Sequence, residues 1–203
     1  MKKLLSMILA LVMLLTPVLV MGETFEEYET YIDPNGHFTF SHPTSWTMIS
    51  DDTFDMLWQA AEQQADEAFK ATMENVKPQI KELGMIILMA DDLVSNINIV
   101  RQETAGATPE TLQLISGQLA ESLMASLEGC EMVEEPVMID IGNNRQALLL
   151  QYAYTMSNMT LYGVQAYVGI GDVLYLFTLT TIADQLEGAA EVLGFVLGSS
   201  ELK

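Results

Sequence analysis

From Glu131 to Thr181 the chain reads as a run of strands separated by turn clusters, and this run most constrains the fold. Val137–Ile141 leads into Gly142-Asn143-Asn144, Ala147–Met156 into Ser157-Asn158, and Leu161–Ile170 into Gly171-Asp172 before Val173–Leu179. Gly171-Asp172, with glycine first, has the pattern of a two-residue type II′ hairpin. Strands joined by such short turns pair antiparallel. The sheet they form needs helices over at least one face.

Helices with readable ends flank this meander. Thr108-Pro109-Glu110 combines a hydroxyl N-cap, proline at the first helical position and an acid beside it. Leu112, Ile115, Leu119, Leu123 and Leu127 form the buried stripe of this helix, and Gly129 ends it. Ala183 or Asp184 opens a last helix with Leu186, Ala189, Ala190, Leu193, Val196 and Leu197 inward. Upstream, Asp52 or Thr53 caps an expected helix over 53–76. Its stripe runs through Phe54, Leu57, Trp58, Ala61, Ala65 and Phe69. Met85–Met89 reads as a buried strand and Asn96–Val100 as a second. Glu23–Asp33 reads as an acidic arm, followed by an Asp33-Pro34-Asn35-Gly36 turn. His37–Ser41 is a strand, His42-Pro43-Thr44-Ser45 breaks it, and Trp46–Ile49 resumes it. The order is β-β-α-β-β-α-β-β-β-β-α, an α+β chain.

Composition is contradictory until the N-terminus is set apart. The 203 residues carry 8 Lys+Arg against 28 Asp+Glu, a formal charge of −20, yet half are hydrophobic. Lys2-Lys3, the uncharged run Leu4–Val20 and Gly22 have the layout of a secretory signal. Residues 1–22 are therefore expected to be a signal peptide cleaved after Gly22, and residues 23–203 a single secreted or extracytoplasmic domain. An uncleaved anchor is the alternative, because the run of about 17 residues is at the lower limit for spanning a bilayer. Only in that case is a membrane a partner. The acidic excess repels nucleic acid and anionic lipid. A single cysteine, Cys130, excludes an internal disulfide framework.

Tyr31-Ile32-Asp33, Gly36, Phe38-Thr39-Phe40-Ser41, Pro43 and Trp46 make a run of the form Y-x-D…G-F-x-F-x-x-P-x-x-W. This opening resembles the PsbP-like superfamily, the fold of the extrinsic PsbP subunit of photosystem II. The Asn96-x-Asn98 strand, the helix from Thr108, the meander and the Ser199-Ser200 tail agree with it in layout over about residues 28–200. The resemblance implies an α/β/α sandwich around a mostly antiparallel sheet, no enzyme activity, and binding to another protein. Bacterial members are commonly small exported proteins or lipoproteins. Here the lipid-attachment cysteine is absent and the 53–76 helix is longer than the family layout suggests.

His37 and His42 lie five residues apart and face opposite sides of one strand, which argues against a shared metal. A hydrolase would need one of them within reach of a nucleophile such as Cys130. There is no Gly-x-Ser-x-Gly elbow, His-Glu-x-x-His helix or phosphate loop. Asp51, Asp52 and Asp55 at the 53–76 helix start are the candidate cation (Ca²⁺) ligands, with Asp91-Asp92 a second cluster. Neither spacing fits the twelve-residue calcium loop, and acids at a helix start are also explained by its dipole. Asn158-Met159-Thr160 has the glycosylation pattern. The expectation is an exported, monomeric, non-catalytic domain without cofactor that binds a protein or cell-envelope component. The alternative is a small-ligand or cation binder with a pocket between the sheet and helix 53–76.

Overall fold

The structure, a computed structural model, describes residues 27–49, 84–92, 94–156 and 159–203. The expected helix over 53–76, the cation candidates Asp51, Asp52 and Asp55, and Asn158 of the sequon lie outside the described residues.

Two antiparallel sheets carry the fold. The small one has the order β1-β2-β11, from Tyr28–Ile32, Phe38–Pro43 and Glu201–Leu202. The large one runs β3-β4-β5-β10-β9-β8-β6. Its strands are β3 (Trp46–Met48), β4 (Ile86–Ala90), β5 (Asn96–Glu103), β6 (Glu131–Met132), β8 (Gln146–Met156), β9 (Met159–Ile170) and β10 (Val173–Thr181). The remaining strand, β7 (Val137–Asp140), also pairs with β8. Helix α1 spans Pro109–Ser126, and α2 spans Leu186–Ser199 after a 3₁₀ turn at Ala183–Gln185.

The turns follow their residues. Gly171 takes φ 65°, as the glycine-first hairpin requires. Gly142, Asn143 and Asn144 take φ 83°, 55° and 57°, and Arg145 N–H returns to Gly142 O at 3.0 Å. Asparagine tolerates this region better than other side-chain-bearing residues, which is why the cluster can reverse the chain.

Helix α1 begins where the sequence places it. Thr108 Oγ1 accepts the Thr111 N–H at 3.3 Å, Pro109 opens the helix and Glu110 lies in its first turn. The helix stops at Ser126, and Gly129 follows at φ 62° in the turn beyond it.

The large sheet separates two apolar clusters. On one face Ile97, Ile99, Phe177, Leu179, Ala166 and Leu149 meet Leu193, Val196 and Leu197 of α2 and Phe38 and Phe40 of β2. On the other, Leu148, Leu150, Tyr152 and Tyr167 meet Leu112, Ala120 and Leu123 of α1. The layers are α1, the large sheet, then α2 with the small sheet, which is the expected sandwich with a second sheet added to one layer.

Four local expectations change. Tyr28–Ile32, read as part of an arm, is β1: it pairs with β2 over Tyr28↔Pro43 to Ile32↔Thr39. His42 and Pro43, read as a break, belong to β2, and the break is confined to Thr44-Ser45. Met85–Met89 shifts by one residue to β4, and Leu88 alone in it is fully buried. The tail after α2 forms β11 on β2. That closure is tied by side chains. Ser41 N–H donates to Ser199 Oγ at 3.0 Å, Arg145 Nη1 to Ser200 Oγ at 3.0 Å, and the buried Tyr175 hydroxyl to Lys203 O at 2.7 Å.

Candidate functional site

The residue types that carry chemistry are held in the framework. His42 is buried at the end of β2, with Nδ1 3.1 Å from Pro43 O. His37 lies just before that strand, its Nδ1 3.2 Å from Asp33 Oδ2. Asp33 also accepts the His37 N–H at 3.0 Å, closing the Asp33–Gly36 turn. The two imidazoles therefore go to separate partners.

Asp92 is spent on the β4–β5 turn. Oδ1 accepts the Val94 and Ser95 N–H groups at 2.8 and 2.7 Å, and Oδ2 accepts the Ser95 hydroxyl at 2.6 Å. Ser95 Oγ also lies 2.7 Å from Thr181 Oγ1, fixing the turn to the end of β10. Burial alone would raise the Asp92 pKa, but the hydrogen bonds from Ser95 and Val94 outweigh it and hold the carboxyl below its ordinary value. A turn cap accounts for this carboxylate. Among the described residues no three His, Cys, Asp or Glu side chains converge to hold a metal ion.

Cys130 is half-buried after α1. Burial, then the charge of Glu131, pushes its thiol pKa up, so the nucleophilic thiolate is disfavoured.

A different set of residues forms the most distinctive surface of the large sheet. Directly opposed residues share a face. The pairings Ile87↔Asn98, Asn98↔Thr178, Thr178↔Gln165 and Gln165↔Leu150 run as one row across the sheet. The neighbouring row is Met89, Asn96, Thr180, Gly163 and Tyr152. Both lie on the α1 face. Helix α1 covers the β8–β9 half of it, and among the described residues no helix covers the β4–β5 half. Asn96, Asn98, Gln165, Thr178 and Thr180 are half-buried there.

The polar row is internally bonded. Asn98 Nδ2 donates to Asn96 Oδ1 at 3.1 Å, Asn96 Nδ2 to Val94 O at 2.8 Å, and the Tyr167 hydroxyl to Gln165 Oε1. Burial, the leading cause in each case, raises the pKa values of Tyr152, Tyr154 and Tyr167. These phenols stay protonated at neutral pH and act as donors. Amides, hydroxyls and neutral phenols can orient a polar ligand, but none is a general base at neutral pH.

Along the sequence Asn96 and Asn98 stand out only by their spacing. Gln165, Thr178 and Thr180 do not stand out, because the row exists across strands and not along one. The signal present was the polar alternate position in otherwise apolar strands. A cavity between Tyr152, Tyr162, Gly163 and Leu186 has a volume of only about 10 Å³, room for one water.

The architecture defines a class: an α+β sandwich with an antiparallel sheet between helical layers. Solved structures of similar fold narrow that class. The solution structure of cyanobacterial PsbP from Synechocystis matches over 90% of this chain and 96% of its own, with a TM-score of 0.56 at 11% identity. A crystal structure of a Bacteroides thetaiotaomicron protein matches over 86% of this chain with a TM-score of 0.52 at 12% identity. This chain spans about half that protein's length, 48%. The fold is PsbP-like. No protein-family model matches the chain, and no curated protein matches it in sequence.

Proposed function

We propose that the protein is an exported, non-catalytic domain that binds a protein or cell-envelope component. The observation that carries this reading is the engagement of its reactive groups in structure. Asp92 caps a turn, Asp33 and His37 close another, His42 is buried against its own strand end, and Cys130 is held as a thiol. The half-buried row it presents hydrogen-bonds without moving protons. Export is supported by Lys2-Lys3 and the Leu4–Val20 run. Among the described residues no helix is long and apolar enough to cross a membrane.

Affinity capture with the full chain from the envelope fraction of its source tests the reading. A partner that rebinds in purified form at one-to-one stoichiometry is expected. Repeated capture with no specific partner contradicts it.

The polar row favours a second reading, a small polar ligand or cation held over Asn96, Asn98 and Thr178. Calcium or ligand titration that raises Tm supports it, because a ligand of the native state stabilises by mass action. An unchanged Tm across a panel of small polar ligands and Ca²⁺ removes it.

A further inference from the structure

The small sheet ends in a strand whose outer edge is open among the described residues. Strand β1 is terminal in the order β1-β2-β11. Its ladder to β2 includes Asp33 N–H to Phe38 O at 3.0 Å and Thr44 N–H to Glu27 O at 3.3 Å. Bonded positions alternate along an antiparallel strand. Residues 27, 29, 31 and 33 therefore turn their backbone groups toward β2. Tyr28, Thr30 and Ile32 turn theirs outward. Each presents an N–H and a C=O on an edge where no described strand sits.

The side chains on this edge are unusual for one left bare. Tyr28 is 59% exposed and Ile32 66%, on the same face with Thr30 between them. Tyr28 is held in place by the Phe195 ring, edge-on at 6.0 Å. Glu27 and Glu29 alternate with them and are exposed.

We infer that β1 accepts an added strand from a partner whose sequence alternates basic and apolar residues. Backbone groups of Tyr28, Thr30 and Ile32 would supply the ladder. Tyr28 and Ile32 would meet apolar side chains, and Glu27 and Glu29 would meet Lys or Arg. This is recognition by strand addition, in which the main chain gives affinity and alternate side chains give specificity. The inference names the partner chemistry of the binding domain proposed above and rests on that reading.

Charge decides against a second copy as the occupant. Pairing β1 with itself about Thr30 sets Glu27 opposite Asp33 of the other chain, and like charges directly opposite are destabilising. Each chain also carries −20. A short edge with carboxylates is a known defence against self-pairing. The same charges attract a cationic strand. Among the described residues the basic ones are Arg101, Arg145 and Lys203, none of them on β1.

The test is fluorescence anisotropy of the full chain with a labelled (Lys-Val)₄ peptide. Its controls are a (Glu-Val)₄ peptide and a (Lys-Val)₄ peptide N-methylated at every backbone amide. Saturable binding of the first, at least tenfold weaker binding of both controls, and loss of at least tenfold in Thr30→Pro are expected. Proline at residue 30 removes an outward N–H without breaking the β1–β2 ladder. Thr30→Val should bind as the native chain does. Equal binding of the N-methylated peptide reduces the effect to charge alone and overturns the inference. So does a concentration-dependent dimer abolished by Thr30→Pro, which makes the second copy the occupant. If Thr30→Pro does not fold, the N-methylated peptide still decides. An envelope partner held equally by native chain and folded Thr30→Pro leaves the binding reading intact and overturns the strand edge.

Discussion

Gly169 shows how a single residue joins two layers. A Cβ there would stand 2.1 Å from Ala107 O, so the loop into α1 can lie on β9 only over a glycine. The obstructing atom is backbone and cannot rotate away. Gly169→Ala is expected to cost about 2–3 kcal/mol by overpacking, lowering Tm by about 5–10 °C; a urea unfolding midpoint measures it. Gly163 is crowded differently, by the Tyr152 ring across the strand pair. Asp92 makes a pH prediction. Its folded pKa lies below the unfolded one, so its contribution is present above the unfolded value and is lost as pH falls through the folded value. Stability of the native chain should decline below about pH 4 more steeply than that of Asp92→Asn, as followed by thermal melts across acidic pH. Neither role was legible beforehand. Glycine in a strand and aspartate in a turn are common; what singles out Gly169 is Ala107, distant in sequence, and what singles out Asp92 is a three-residue turn whose Ser95 reaches Thr181.

At the scale of elements, the ends of α1 were the most legible feature because capping is local. Thr108, Pro109 and Glu110 act within one turn of each other. Thr108→Ala is expected to cost about 1 kcal/mol, measured as a shift in chemical denaturation midpoint. The inner stripe of α2 was equally readable, since Leu186, Ala189, Ala190, Leu193, Val196 and Leu197 are all buried. Strands β1 and β11 were not. Glu29 within β1 and Glu27 just before it give that stretch the composition of a solvated arm, and β11 has two residues, too few for any period. Both owe their conformation to β2, which lies between them. Strand β4 reads as buried on both sides from its apolar run, yet it lies one strand from the β3 edge and only Leu88 is fully enclosed. The polar row was half legible: Asn96 and Asn98 stand out along β5, whereas their alignment with Thr178, Thr180 and Gln165 depends on register.

At the scale of the whole molecule, charge is the dominant property. A chain with 28 acids against 8 bases repels itself when compact. Salt screens that repulsion over about 10 Å at 0.1 M, so Tm should rise from about 10 to about 200 mM NaCl, a roughly twentyfold increase in ionic strength. A flat or falling Tm would mean that the carboxylates are better paired than the described surface indicates. The α+β class followed from turn spacing and helix periodicity, since both are short-range patterns, and the layer order was what the PsbP-like resemblance implied; the second sheet was not legible, because it is assembled from the two ends of the described chain. The central proposal is that this PsbP-like fold binds a partner through the open edge of β1. Hydrogen exchange of the full chain, alone and with its captured envelope partner, tests it most directly. Slowed exchange at the amides of Tyr28, Thr30 and Ile32, with the sheet core unchanged, is the predicted result. No protection anywhere on the chain when the partner is present would contradict it.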